Sequence, residues 1–346
     1  MSFEKIFSEQ LNKHPSMDSV DVIKLCYQAA FGAEHLVSDI AAAEELLKEE
    51  FENTKAEKTD LFEKISDDIC RINISAWKYE KLPISWLLKM FVASAKAINN
   101  GEEKFKNYLD CAKCTLLKEK SNLKFNEYLS EYLSKGIHAV HHSEFYKRNE
   151  QPSYRVVKTE YIRLIPVLKA ASRFINNEKV CVIAVDGRAA SGKTTLAKLL
   201  ETVLDADTIH MDDFFLPPNL RNNERLNTAG GNIHYERFLE EVIPYISISN
   251  DFSYRIFDCS KMDYNGIKTV ENKKFRIVEG SYSCHPAFKE YADITVFSDV
   301  DAEEQIKRII KRNGKDMAAI FRDKWIPLEE KYFETYEIPE KCKIRL

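Results

Sequence analysis

Several things are missing from this sequence, and each absence narrows what it can be. No stretch approaches the roughly 20 apolar residues that a membrane span requires, so no partnership with a membrane is expected. The opening stretch MSFEKIFSEQ lacks the apolar run of a signal peptide. There is no excess of one charge: Lys plus Arg total 51 against 55 Asp plus Glu, a net charge of −4. Without a basic field, nucleic acid is not an expected partner. Cysteine shows no framework either. Of eight cysteines only Cys111 and Cys114 form a C-x-x-C pair, with no second pair to complete a structural zinc site. They read as ordinary thiols in a reducing, cytoplasmic setting. Repeats and low-complexity segments are absent too.

What remains is an ordinary globular balance, 44% hydrophobic and 31% charged, in a chain of 346 residues. That length favours two domains over one. The two halves differ in pattern. Residues 1–155 read as an all-α domain. PSMDSVDVIKLCYQAAF has Pro15 and Ser16 at its head and apolar residues every three or four positions, and DIAAAEELLKEEF is rich in helix formers. LPISWLLKMFVASAKAINNG places Pro83 in a first turn and Gly101 at a stop, and FNEYLSEYLSKG ends likewise at Gly136. Trp77, Tyr79, Trp86 and Phe91 read as a helical core. Residues 156–177 read as a connecting helix, kinked or restarted at Pro166.

From residue 178 onward the pattern becomes α/β. KVCVIAVDG is a buried strand ending at a glycine. TIHM, FSYRIF, FRIVEG, DITVFSD and KIRL are further strands, with TLAKLLETVL, YERFLEEVIPYI and AEEQIKRIIKRNG as helices. Such alternation predicts a doubly wound, mostly parallel sheet over residues 178–346.

The chemistry concentrates in GRAASGKT, which meets G-x-x-x-x-G-K-[ST] at every fixed position. Gly187 and Gly192 let backbone N–H groups converge on phosphate oxygens. The following helix presents its positive end to the same place. Gly187, Ala190, Ser191, Gly192, Lys193, Thr194 and Thr195 are therefore the expected nucleotide-binding residues. Lys193 is a point charge for the β- and γ-phosphates, and the Thr194 hydroxyl a ligand for Mg²⁺. Downstream, TIHMDDFFLPP sets Asp212 and Asp213 at the end of a strand, where open α/β sheets build sites. A carboxylate there can orient an attacking hydroxyl and take its proton; the same pair would also serve as a helix cap or a solvated turn.

VDGRAASGKTTLAKLL followed by IHMDDFFLP resembles the uridine kinase and nicotinamide riboside kinase family of P-loop kinases, over about residues 178–346. The resemblance implies Asp212 as general base beside Mg²⁺, with Met211 in place of the usual Gln, and Glu279 of FRIVEG as a further Mg²⁺ contact. It implies that Arg308 and Arg312, four apart on one helical face, close over the phosphates. Asp213, Tyr235, Arg255 and Asp258 fall where that family meets its acceptor; Tyr254 lies alongside. The histidine of the uridine kinases has no counterpart, and Met262 stands near its place. The expected activity is therefore ATP-dependent phosphorylation of a small-molecule hydroxyl, with a nucleoside 5′-hydroxyl first. Another metabolite acceptor, or an ATP-sensing switch without an acceptor, are the alternatives. Homo-oligomer formation stays open.

The helical half resembles no family from which a function carries over. It holds five of the eight histidines, with His138, His141 and His142 in KGIHAVHHSEF and Glu34 beside His35 in FGAEHL. These read as surface or hydrogen-bonded histidines near a helix end, with a metal site as the alternative.

Overall fold

A computed structural model describes residues 2–34, 37, 39–96, 99–118 and 124–346. The chain divides into two compact units, Met1–Ile162 and Arg163–Leu346. His35 lies outside the described residues.

The first unit is mainly helical: α1 (Phe3–Lys13), α2 (Ser19–Phe31), α3 (Ile40–Asn53), α4 (Ile74–Tyr79), α5 (Ile84–Ser94), α6 (Gly101–Lys118), α7 (Phe125–Ser134) and α8 (Glu144–Glu150). It is not all-α, as the sequence suggested. β1 (Phe62–Lys64), β2 (Ile69–Asn73) and β3 (Tyr154–Lys158) form an antiparallel sheet in that order. Arg71 hides β2 from a pattern reading. It sits inside a run that is otherwise buried and apolar, and is itself buried. Its guanidinium is satisfied by the Gln28 side-chain oxygen at 3.1 Å from Nε and 2.7 Å from Nη2. β3 takes up Val156 and Val157, which pair with Arg71 and Cys70, so residues 156–177 are not one connecting helix. β-branched residues prefer this pleated setting to a helix.

Other details differ by a residue or a role. α2 starts at a capping box, with Asp18 accepting the Val20 N–H and Asp21 accepting the Asp18 N–H, rather than at Ser16. Gly101 opens α6 instead of closing the helix before it. Trp77, Trp86 and Phe91 are buried, but Tyr79 is exposed. Among the described residues no cluster of His, Cys, Asp and Glu is arranged to hold a metal ion. The three histidines part company: His138 Nδ1 lies 2.7 Å from the Gly136 carbonyl at a helix end, while His142 turns inward to Asp21.

The second unit contains β4 (Cys181–Gly187), β5 (Asp207–His210), β6 (Phe252–Asp258), β7 (Asp263–Val270), β8 (Phe275–Glu279), β9 (Ile294–Ser298) and β10 (Ile344–Arg345). Five of these make a parallel sheet in the order β10-β9-β4-β8-β5. Helices α9 (Ile165–Ala171), α10 (Lys193–Leu204), α11 (Asn223–Asn227), α12 (Tyr235–Glu241), α13 (Ala302–Ile320), α14 (Ile326–Tyr336) and α15 (Ile338–Lys341) join the strands. Pro166 sits in the first turn of α9, a position that needs no N–H. FSYRIF forms a strand as expected, but it pairs with β7 as a separate hairpin outside the parallel sheet.

β4 is buried along its whole length, as a central parallel strand should be. The chain first runs from β4 to the β5 edge, returns to β8, then crosses to β9 and β10. The order therefore reverses at β4, and the crevice opens beyond its carboxyl end. Val182, Ile209, Phe214, Phe238, Val278 and Phe297 belong to the core that backs this edge.

Candidate nucleotide and phosphoryl-transfer site

The loop after β4 is held from its outer side. Asp186, fully buried, accepts the Gly187 N–H at 2.7 Å, the Cys284 N–H at 2.9 Å, the Tyr282 N–H at 3.1 Å and the Tyr332 hydroxyl at 2.9 Å. Burial raises its pKa, and these donors pull it back. Glu329 accepts the Ala189 N–H at 2.9 Å and the Ser281 hydroxyl at 2.6 Å, while the Gln305 amide donates to the Ala189 carbonyl at 3.0 Å. The Ser298 hydroxyl donates to the Ser191 carbonyl at 3.2 Å. With its outer groups occupied, the loop turns through Ala190 (φ +58°) and Gly192 (φ +95°), the succession of bends that gathers N–H groups into an anion nest. No side chain caps α10, which begins at Lys193. Its first N–H groups are thus left for an anion, and Thr194 and Thr195 stand exposed at that end. Lys193 Nζ folds back onto the loop, donating to the Gly187 and Arg188 carbonyls at 2.8 Å each.

Strand register brings the acidic groups to the same edge. Glu279 pairs with Val185 of β4 on one side and with His210 of β5 on the other. Its carboxylate oxygens lie 3.3 and 3.4 Å from the Thr194 hydroxyl, and its Oε1 lies 2.8 Å from His210 Nδ1. That bond raises the His210 pKa against the effect of desolvation. Asp212 follows in the short turn Met211–Phe214 and still meets solvent. The surrounding walls strip part of its hydration; this, then the charge of Glu279, raises its pKa, while Lys193 and His210 draw it down. Met211 is buried against Gly280, so it serves as packing rather than as a polar contact. The donor set Thr194, Asp212 and Glu279 is all oxygen, which suits Mg²⁺. That ion is commonly held by one or two carboxylates together with phosphate oxygens and water.

The arginines divide. Arg308 Nη1 reaches the Ala190 carbonyl at 3.3 Å while Nε holds Glu304 at 2.8 Å. Arg312 is turned to Asn313 at 2.7 Å and to the Phe321 ring. Gly314 (φ +83°) interrupts α13 just beyond them. Arg163 is a third arginine beside the loop. Its Nη1 lies 3.3 Å from where a side chain on Gly192 would begin, and its Nη2 lies 3.4 Å from the Ser298 hydroxyl. Desolvation and the nearby Arg308 charge lower its pKa. Its position in a stretch read as a linker concealed it. His210, Asp186 and Glu329 were also missed, although the histidine's place opposite Glu279 follows once the strands are paired.

Of the residues expected to meet an acceptor, Asp213 accepts the Tyr254 hydroxyl at 2.8 Å. Tyr235 receives Arg225 at 2.5 Å and stacks on His285. Arg255 pairs with Glu241 and leans on Tyr264. Asp258 fastens the β6–β7 turn through Ser260 and Asn265, and Met262 sits in that turn at φ +55°. The neighbouring Cys259 lies within electrostatic reach of Asp212, Asp213 and Arg221.

A buried parallel strand, a phosphate-type loop and an uncapped helix, with carboxylates on the next two strand ends, define a P-loop nucleotide-binding architecture. Among solved structures, this chain is similar to a possible uridine kinase from Bacillus stearothermophilus, at 20% identity and a TM-score of 0.41, covering 54% of this chain and 100% of that one. It is also similar to a putative fructose transport system kinase from a Silicibacter species, at 18% identity and a TM-score of 0.44, covering 53% of this chain and 98% of that one. No protein-family model matches the sequence, and no curated protein matches it.

Proposed function

We propose that the second unit transfers the γ-phosphoryl group of ATP to a hydroxyl of a small molecule, with a nucleoside 5′-hydroxyl as the first acceptor class. The observation that carries this reading is the convergence of Lys193, Thr194, Glu279 and Asp212 at one sheet edge. A loop that only stored a nucleotide would not need the added carboxylate of Asp212 facing solvent there. Lys193 and the α10 N-terminus hold the phosphates, and Arg308 adds positive charge from α13. Asp212 orients the acceptor hydroxyl for in-line attack and receives its proton at a carboxylate oxygen. Because phosphoryl transfer passes through a loose transition state, orientation contributes much of the effect. Mg²⁺, held through Thr194, Asp212 and Glu279, would neutralise charge on the phosphate oxygens. Cytoplasmic location follows as part of the same proposal.

The test is ADP release measured with purified full-length protein over nucleosides, sugars and pantothenate. Asp212→Asn should lower acceptor-dependent turnover by roughly 10²- to 10⁴-fold and leave ATP affinity nearly unchanged. ATP turnover that is equal with and without every acceptor, and that the substitution leaves untouched, would refute the kinase reading. Activity confined to a non-nucleoside would refute only the acceptor class.

A further inference from the structure

We infer that the first unit carries a second small-molecule site, a cavity at Lys24 and His142 whose ligand presents an oxyanion, carboxylate or phosphate, on a small apolar body. This goes beyond the phosphoryl-transfer reading and does not rest on it.

The cavity has a volume of about 400 Å³, within the size range of metabolite pockets. Its polar lining includes Gln28, His142 and Tyr154, which are backed by the buried Asp21 and Arg71. Asp21 is fully buried and accepts from Asp18 N at 3.2 Å, Ser143 N at 3.1 Å, the Ser143 hydroxyl at 2.7 Å and His142 Nδ1 at 2.7 Å. An ionised carboxylate only accepts, so the ring proton sits on Nδ1. Burial pushes the His142 pKa down to about 4, which leaves the ring neutral with Nε2 as an acceptor. The Tyr154 hydroxyl, 2.7 Å away, donates to it. The Tyr154 ring lies under Arg71 at 4.5 Å, and Arg71 is locked by Gln28. Asp21, His142 and Tyr154 thus form an oriented relay, with Gln28 Oε1 as a second, more distant acceptor for the Tyr154 hydroxyl at 3.3 Å.

Lys24 lines the cavity together with His141 and Glu50. Its Nζ donates to the Val140 carbonyl at 3.0 Å, and among the described residues no carboxylate forms an ion pair with it. The other cation on the wall, Arg155, is already committed to Glu50 at 2.6 Å. Burial, and then the Arg71 charge, lower the Lys24 pKa to about 8, so it remains mostly protonated at neutral pH. A half-buried ammonium with unused N–H groups, reached by the Asp21 charge but by no ion-pair partner, is costly for the protein alone. An oxyanion entering the cavity would offset that cost through charge-assisted hydrogen bonds. Phe91 and Leu46 also line the cavity, the latter 63% exposed. They offer an apolar surface for the rest of the ligand.

Isothermal titration of the full chain carrying Lys193→Met, which weakens anion binding at the nucleotide loop, tests this with two probes: inorganic phosphate, and benzoate. Saturable binding of either is expected, and which one binds tells a phosphate ligand from a carboxylate one. Adding Lys24→Met should weaken binding at least on the order of tenfold, and Lys24→Arg should retain most of it. Leu46→Glu, at an exposed position that folding tolerates, should weaken it by repulsion. Equal affinity with Lys24→Met or with Leu46→Glu, or no saturable binding of either probe, would overturn the site.

Discussion

Replacing Gly187 by Ala tests the account of the nucleotide loop at its tightest point. Gly187 adopts φ +140° and lies opposite Ser298 in the β4–β9 register. A Cβ there would sit 2.0 Å from the Ser298 carbonyl oxygen and 2.8 Å from its carbon and nitrogen. An unstrained carbon–oxygen approach is roughly 3.3 Å, so the two backbones must part by more than an ångström. The positive φ alone costs about 1–2 kcal/mol for an L-residue. Parting the strands also loosens the bond from the Arg188 N–H to the Ser298 carbonyl, about 1 kcal/mol. It draws the Gly187 N–H away from the buried Asp186 carboxylate as well, for about 1–3 kcal/mol more. The total is about 4 kcal/mol, large against a domain stability of about 5–15 kcal/mol. For a unit of this size that is a fall of about 8–16 °C in Tm. Gly314→Ala is the control in the same unit, with positive φ but nothing within 4 Å of the added carbon. It should cost no more than the conformational term, about 1–2 kcal/mol. Thermal unfolding of both variants, with titration of a fluorescent ATP analogue, reads the result. If Gly187→Ala melts no lower than Gly314→Ala and binds nucleotide as the native chain does, the close-approach argument is wrong.

Three further outcomes follow from other parts of the molecule. Arg163→Met should raise KM for ATP on the order of tenfold with little change in kcat, as expected for the loss of one charged contact to a phosphate or to the nucleotide; an unchanged KM removes Arg163 from the nucleotide site. Glu329→Ala leaves the Ala189 N–H without its acceptor, while the Ser281 hydroxyl keeps the Gly187 carbonyl at 3.1 Å. It should cost about 1–3 kcal/mol for the group left unsatisfied and weaken nucleotide binding, with Glu329→Gln recovering part of both; full stability in Glu329→Ala would contradict the brace. In the first unit, desolvation works to raise the Glu63 pKa, but the His14 hydrogen bond and the Arg71 charge outweigh it and hold the group at about 2. A depressed carboxylate contributes stability that is present above its unfolded pKa of 4.5 and lost as pH falls toward about 2. Denaturation between those limits should show the first unit losing stability with acid, and Glu63→Gln should flatten that slope; an equal slope in the variant would count against the pairing.

The second unit was legible where its chemistry is local in sequence. The loop from Gly187 to Thr194 is contiguous, and Asp212 and Glu279 each mark the end of a strand that apolar runs announce. What escaped were partners that only folding brings together. Glu329 supports Ala189 from 140 positions away, and Tyr332 reaches Asp186 from 146. Nothing in the local pattern of either helix residue distinguishes it from a neighbour facing the core or the solvent. The same holds for Arg163, whose use depends on where Gly192 and Ser298 come to rest.

The helical unit failed to yield to the same reading for a different physical reason: its residues serve two structures at once. Asp21 is an acid in the first turn of α2, where it completes the capping box. That local role is sufficient to explain it, so the sequence offers no prompt to look further. Yet the carboxylate that takes the Asp18 N–H also fixes the tautomer of His142, more than a hundred residues later. Arg71 likewise breaks the apolar run of β2, which hid the strand, because its guanidinium is needed over the Tyr154 ring. A helix cap needs one acceptor, and a strand needs no buried arginine at all. Both positions spend buried charge beyond what local structure requires, and each fixes a residue that lines one cavity, His142 for Asp21 and Tyr154 for Arg71, which argues that the wall was built for a ligand rather than left over from packing.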